Sequence, residues 1–136
     1  MSRFTTRILF AIAAVYDFAI GLVFLLAGKQ LFDASGIPHP SHWGYVQFCS
    51  LMLMVFGTMF FSIAKDPHRN RNLMPYGMLL KISYVSIVSY YWVMIGCPFL
   101  FKPFVLIDFV MLILFAVAYY RPAEKDAAAT FTTDVL

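Results

Sequence analysis

Four long apolar stretches divide the chain and limit what it can fold into. They cover residues 8–28, 43–64, 73–96 and 103–120. At a rise of about 1.5 Å per residue, each is long enough to form a helix that crosses a hydrocarbon layer about 30 Å thick. The sequence therefore predicts an all-α integral membrane protein, a four-helix bundle formed by one domain over residues 1–121.

The composition agrees with a location in lipid. Hydrophobic residues make up 62% of the chain and charged residues 12%, a charged share far below that of an average soluble domain. The formal charge of +3 does not indicate a nucleic-acid partner, because the basic residues lie in short segments between apolar stretches and not on one solvated face. The predicted partner is the lipid bilayer.

The basic residues predict the orientation of the bundle, since cytoplasmic segments carry an excess of Lys and Arg. With four spans, Lys29 and Lys102 fall on one side of the membrane. Seven fall on the other side: Arg3, Arg7, Lys65, Arg69, Arg71, Arg121 and Lys125. Both the N and the C terminus are therefore predicted to be cytoplasmic, with residues 122–136 forming a polar cytoplasmic tail.

Ionisable side chains inside the predicted spans are the main functional leads: Asp17, Lys81 and Asp108. Each costs about 2.5 to 3.5 kcal/mol at mid-span, so each is expected to face a partner, water or the bundle interior. Asp17 and Lys81 lie roughly 13 and 12 Å from the same membrane boundary, and Tyr84 shares the helix face of Lys81. The sequence predicts a buried polar cluster of Asp17, Lys81 and Tyr84, which either fixes helix packing or relays protons or coupling ions.

Asp108 is predicted to lie elsewhere, roughly 6 to 8 Å below the opposite boundary. Polar residues of the second and third spans fall at a similar depth, and two histidines lie in the loop above them. Such a carboxylate, without a basic partner nearby, favours a ligand pocket that opens to the outside. The predicted ligand-binding residues are Gln47, Ser50, Tyr90, Tyr91, Asp108, His39 and His42.

No metal site and no cofactor are predicted. His39 and His42 have the spacing HxxH, but Pro38 and Pro40 exclude a helix there, so the two imidazoles need not share a face. No histidine lies within a predicted span, which argues against a haem held by two histidines. A quinone remains open as a ligand.

Short motifs in three spans resemble those of the DoxX-like group of small bacterial four-helix membrane proteins. They are Tyr16-Asp17 followed by Gly21, the stretch Gly77-Met78-Leu79-Leu80-Lys81-Ile82-Ser83-Tyr84, and Ile107-Asp108. The resemblance covers most of the chain and implies a location in the bacterial inner (plasma) membrane. Some members of the group are linked to quinone-coupled sulfur oxidation, but no catalytic motif matches here and no activity is carried over.

The leading functional hypothesis is a non-enzymatic membrane module that binds a small amphipathic or lipid-like ligand in the outward-facing pocket, as an accessory subunit of a membrane complex or alone. One alternative is a quinone- or lipid-linked membrane enzyme or redox accessory, in which Asp17, Lys81 or Asp108 handles protons. Another is a purely structural subunit of a homo-oligomer or a larger membrane complex.

Overall fold

The structure is a computed structural model that describes residues 1–121, and these residues form helices joined by short connections. Its α-helices are α1 (Arg3–Ala34), α2 (Gly44–Lys65), α3 (Met74–Met94) and α4 (Lys102–Tyr120). Short 3₁₀ helices, Arg71–Leu73 and Phe99–Phe101, lead into α3 and α4. The predicted all-α class is confirmed, whereas the predicted tail over residues 122–136 lies outside the described residues.

Three helical segments have the length and composition of membrane spans. The helix α1, the helix α2 and the segment Phe99–Tyr120 are each long and apolar enough to cross a bilayer. The helix α3 is also long, with 21 residues, but Lys81 and several Ser and Tyr residues interrupt its apolar sequence. The predicted length and apolar composition are therefore confirmed for three of the four stretches.

The helix α1 is longer than predicted at both ends. Its first turn is capped by Ser2, whose hydroxyl accepts a hydrogen bond from the backbone N–H of Thr5 at 3.1 Å. Near its other end Ala27 leaves the helical region (φ −127°, ψ 21°), and the chain bends there but stays helical to Ala34. The first apolar stretch ends at residue 28, whereas the helix continues beyond the bend to Ala34.

The first two helices pack closely against each other through small residues. A Cβ atom added to Gly21 would lie 2.5 Å from the carbonyl oxygen of Ser50, and one added to Gly57 would lie 2.9 Å from the backbone N of Phe18. Only glycine permits such an approach, so these two positions allow α1 and α2 to form a tight hairpin.

An aromatic core joins this first hairpin to the second hairpin, α3 and α4. The Phe115 ring lies 4.6 Å from the Phe10 ring and 5.2 Å from the Phe60 ring, measured between centroids, and all three side chains are fully buried. The core lies toward the end of the bundle at which α1 and α3 begin and α2 and α4 end, which we call the closed end. The opposite end is called the open end.

Arginine side chains bind the ends of two helices at the closed end. The Nε atom of Arg7 donates to the carbonyl oxygen of Ala64 at 3.0 Å, and the guanidinium of Arg71 donates to the carbonyl oxygen of Tyr119. These carbonyls belong to the last turns of α2 and α4, where intrahelical donors are missing and the helix dipole favours a positive charge. The basic residues therefore stabilise the closed end.

The hairpins separate toward the open end. The buried residues of α3 are Met74, Gly77 and Lys81, so its second half contributes none. Beyond them Val93 is 82% exposed and Ile95 is 75% exposed. The separation leaves a space between the hairpins, and the polar side chains of the spans lie at the bottom of that space.

Candidate functional site

A buried ion cluster connects three helices. The ammonium of Lys81 (α3) donates to both carboxylate oxygens of Asp17 (α1), at 2.8 and 2.9 Å, and to Oδ1 of Asp108 (α4) at 2.9 Å. Lys81 is 0% exposed, Asp17 1% and Asp108 7%. The predicted contact between Asp17 and Lys81 is present, and it links the first hairpin to the second.

Aromatic rings complete the surroundings of the ammonium. Its nitrogen lies 5.2 Å from the centroid of the Tyr16 ring and 5.8 Å from that of Phe60, distances at which ring faces attract a cation. Tyr84, which was predicted to join the cluster, instead directs its hydroxyl at the carbonyl oxygen of Phe101, 3.5 Å away. Tyr16 is therefore the tyrosine closest to the charge, and Tyr84 lies beside the cluster without a hydrogen bond to it.

Asp108 belongs to this cluster, so its placement in a separate outer pocket was wrong. The prediction assumed that α3 and α4 reach the same level at the open end. The Tyr84 hydroxyl lies 3.5 Å from the carbonyl oxygen of Phe101, and Nζ of Lys102 lies 5.2 Å from the centroid of the Trp92 ring, so α4 begins beside the second half of α3 and below Met94. Asp108 is therefore deeper than the residue count implied, and the long side chain of Lys81 spans the remaining distance.

A cavity of about 560 Å³ lies between the hairpins, next to the ion cluster. All four helices contribute to its walls, which are largely apolar and include Phe24, Leu53, Ile87 and Phe104. Cavities of this size and character are typical of small-molecule sites, which combine apolar walls with a few polar groups. The lining residues that carry a hydroxyl or a carboxyl group are Tyr16, Asp17, Tyr45, Ser50, Ser83, Tyr84 and Asp108.

Two polar groups at the cavity lack a hydrogen-bond partner. The hydroxyl of Tyr16 is buried and has no partner within residues 1–121. Asp108 uses Oδ1 to accept from Lys81, whereas its Oδ2 receives no hydrogen bond from the described residues. The Tyr16 hydroxyl is enclosed by protein atoms, so its missing hydrogen bond costs about 1 to 3 kcal/mol. The Oδ2 atom of Asp108 is the group at the cavity that can accept a hydrogen bond from water or a bound molecule.

Of the seven residues predicted to bind a ligand, Ser50 and Asp108 line the cavity. The hydroxyl of Ser50 donates to the carbonyl oxygen of Val46 at 2.7 Å, which satisfies it within α2. Gln47 is exposed and borders a smaller cavity of about 250 Å³ together with Lys29 and Trp43. It does not meet Asp108, because its helix face turns away from the space between the hairpins.

The two tyrosines near the end of α3 do not line the cavity either. Tyr90 is 58% exposed and Tyr91 49% exposed, and their rings contact each other at 5.5 Å. The prediction assumed that α3 stays in the bundle over its whole length. No residue of α3 after Lys81 is buried, and these two side chains lie on the surface of the bundle.

The histidines stabilise the loop between α1 and α2 and do not reach the cavity. Nε2 of His39 lies 2.6 Å from Oδ1 of Asp33, and the His39 ring packs edge-on against Trp43. Nδ1 of His42 accepts a hydrogen bond from the backbone N–H of Gly44 at 3.1 Å. Over residues 1–121, no three His, Cys, Asp or Glu side chains come close enough to hold a metal ion.

Tyr16 is the site residue that the sequence prediction missed. Most tyrosines of the chain fall near the ends of the apolar stretches, where an interfacial position accounts for them. Tyr16 falls in the middle of such a stretch, next to Asp17. A tyrosine at mid-span needs a partner for its hydroxyl just as a carboxylate does, and this position was the available signal.

No protein-family model, curated protein or solved structure matches this chain. The resemblance to the DoxX-like group therefore stays a prediction.

Proposed function

We propose that this chain is a membrane protein that binds a small amphipathic molecule in the cavity between its two hairpins. The polar head of the molecule lies at Asp108, and its apolar part lies along the walls toward the open end. The observation that carries the proposal is the cavity of about 560 Å³ with apolar walls and the unpaired Oδ2 atom of Asp108 at its base.

The surface of the bundle supports a location in lipid. Large apolar side chains such as Val15, Leu26 and Val55 are 71%, 73% and 56% exposed, and comparable residues occur on all four helices. A soluble monomer rarely exposes so much continuous apolar surface. Lys81 is the residue that most lowers the hydropathy of α3, but it is fully buried, so α3 presents an apolar surface and crosses the membrane with the other helices.

The distribution of basic residues supports the orientation. Arg3, Lys65, Arg69 and Arg71 lie at the closed end, whereas Lys29 and Lys102 lie at the open end. By the positive-inside rule the closed end and both termini are cytoplasmic, and the cavity opens toward the other half of the membrane. Together with the DoxX-like resemblance, this orientation favours the bacterial inner membrane.

The binding proposal is tested by native mass spectrometry of the protein in lipid nanodiscs, combined with two matched substitutions. Leu53→Trp adds a large ring to a residue that lines the cavity. Leu51→Trp makes the same change two residues away on α2, at a side chain that is 45% exposed and outside the cavity lining. Overpacking costs about 1 to 3 kcal/mol, so Leu53→Trp is expected to reduce the bound fraction of a co-purified amphiphile about tenfold.

Three outcomes separate the functional classes. Loss of the amphiphile in Leu53→Trp, with retention in Leu51→Trp, supports binding in the cavity. Equal retention in both variants means that the molecule binds elsewhere and contradicts the proposal. A wild-type protein that never retains an amphiphile, and that assembles normally in both variants, also contradicts the proposal and favours a purely structural subunit.

A further inference from the structure

We infer that the head group recognised at the base of the cavity is cationic, so that the ligand is a lipophilic amine or ammonium compound. This inference rests on the proposed function and specifies the chemistry of its ligand. The observation behind it is that Asp17 and Asp108 face a single ammonium, that of Lys81, inside the bundle.

The cluster is unbalanced in charge. With both carboxylates ionised it carries one more negative than positive charge, and its members are between 0% and 7% exposed. Burial of an uncompensated charge is costly, so a site of this kind takes up a proton or a second cation. None of the described residues that line the cavity is a Lys or an Arg. Among the described residues, therefore, no side chain of the cavity lining provides a second positive charge next to the cluster.

Asp108 is the carboxylate that a cation could reach. Asp17 directs both of its oxygens to Lys81. Asp108 directs only Oδ1 to Lys81, lines the cavity and is itself 7% exposed. Its Oδ2 atom is thus an acceptor beside the cavity that lacks a donor within residues 1–121.

Aromatic rings line the same cavity as this acceptor. Tyr16, Tyr84, Phe101 and Phe104 all belong to the lining, and the rings of Tyr16 and Phe104 pack edge-on with centroids 6.3 Å apart. Aromatic rings together with a carboxylate form the kind of surface that recognises ammonium groups.

The chemical modification of a cysteine in the cavity reports whether the cavity is occupied. Cys49 lines the cavity, whereas Cys97 lies in the connection after α3 and outside the cavity lining. The rate at which N-ethylmaleimide modifies Cys49 is measured in Cys97→Ser protein held in phosphatidylcholine nanodiscs. The modification rate of Cys97 in Cys49→Ser protein reports any effect of the probe on the bilayer as a whole.

The probes are dodecylammonium and 1-dodecanol, which have the same tail and are compared at equal mole fraction in the bilayer. Dodecylammonium is expected to protect Cys49 at a mole fraction about tenfold lower than dodecanol, since a hydrogen bond between charged groups is stronger than a neutral one. The modification of Cys97 is expected to stay unchanged with both probes.

Matched substitutions then assign the preference to Asp108. Asp108→Asn is expected to abolish the preference for dodecylammonium, and Lys81 keeps Asp17 as its partner in that variant. Asp33→Asn removes the same charge at the open end, from a side chain that is exposed and outside the cavity lining. The preference is expected to remain in Asp33→Asn.

Each possible result decides between the proposals. Equal protection by both probes overturns the cationic head group and leaves binding of an amphiphile in the cavity supported. Protection by neither probe contradicts the proposed binding function as well. A preference that persists in Asp108→Asn overturns the role of Asp108. If Asp108→Asn does not fold, the comparison of the two probes on wild-type protein still decides the charge of the head group.

Discussion

Replacement of Lys81 by methionine is the most direct test of the ion cluster. Lys81→Met keeps the length of the side chain and removes its charge, which leaves Asp17 and Asp108 buried without a positive partner. Removing one partner of a buried ion pair costs about 3 to 5 kcal/mol. We therefore expect the free energy of unfolding to fall by about 3 to 5 kcal/mol.

The summed free energies of the hydrogen bonds of Lys81 give only an upper limit for the loss of stability in Lys81→Met. The ammonium makes contacts of 2.8, 2.9 and 2.9 Å, and hydrogen bonds to charged groups contribute about 1.5 to 3 kcal/mol each. Without the ammonium, however, a buried carboxyl binds a proton and so avoids part of the cost. The loss is therefore expected to stay well below the sum of three separate bonds.

Removal of all three charges should restore most of the stability. The triple variant Lys81→Met, Asp17→Asn, Asp108→Asn contains no buried charge, and uncharged side chains of similar size often replace a buried ion pair at little cost. Its free energy of unfolding is expected to lie within about 2 kcal/mol of that of the wild type. Recovery in the triple variant distinguishes uncompensated charge from lost packing as the cause.

The measurement is reversible unfolding in mixed micelles, followed by helical circular dichroism. Lys65→Met is the control, because it removes the same charge from an exposed position at the end of α2 and should change the stability by about 0.5 kcal/mol or less. If the free energy of unfolding of Lys81→Met lies within about 1 kcal/mol of that of the wild type, the ion cluster does not hold the hairpins together. A triple variant as unstable as the single one would mean that the shape of Lys81 matters more than its charge.

Two further predictions concern the hairpins and the orientation. Gly21→Ala is expected to destabilise the protein by about 1 to 3 kcal/mol, because its Cβ would lie 2.5 Å from the carbonyl oxygen of Ser50. The control is Gly28→Ala, whose Cβ would lie 3.5 Å from the nearest side chain. It should be nearly neutral in the same unfolding assay. Green fluorescent protein fused after residue 121 is expected to fluoresce, and alkaline phosphatase inserted within residues 36–41 is expected to be active. The opposite pattern of reporter activity would reverse the orientation.

The sequence predicted those parts of the fold that depend on local properties. The length and hydropathy of a helix follow from neighbouring residues, so three of the apolar spans and most helix ends agree with the structure. The contact between Asp17 and Lys81 was also accessible. Asp17 lies nine residues after the start of the first apolar stretch at residue 8, and Lys81 lies eight residues after the start of the third at residue 73. Counting from the closed end therefore placed the two side chains at a similar depth.

The residues that were misplaced depend on how the hairpins are arranged. The depth of Asp108 was counted from the open end, where α4 begins at a lower level than the end of α3. Tyr90, Tyr91 and Gln47 were assigned to an inner face, but all three side chains are exposed and outside the cavity lining. These features arise from packing between distant parts of the chain, and residue spacing alone does not report them.

The two hairpins share most of their buried core at the closed end and little at the open end, and this difference affects the selectivity for ligands. The carboxylates of the ion cluster are fixed by contacts with three helices, so a head group meets donors and acceptors at fixed positions. The walls beyond belong to hairpins that contribute little shared core toward the open end. A series of ligands should therefore be discriminated sharply by changes at the head group and only gradually by changes in the length or branching of the tail.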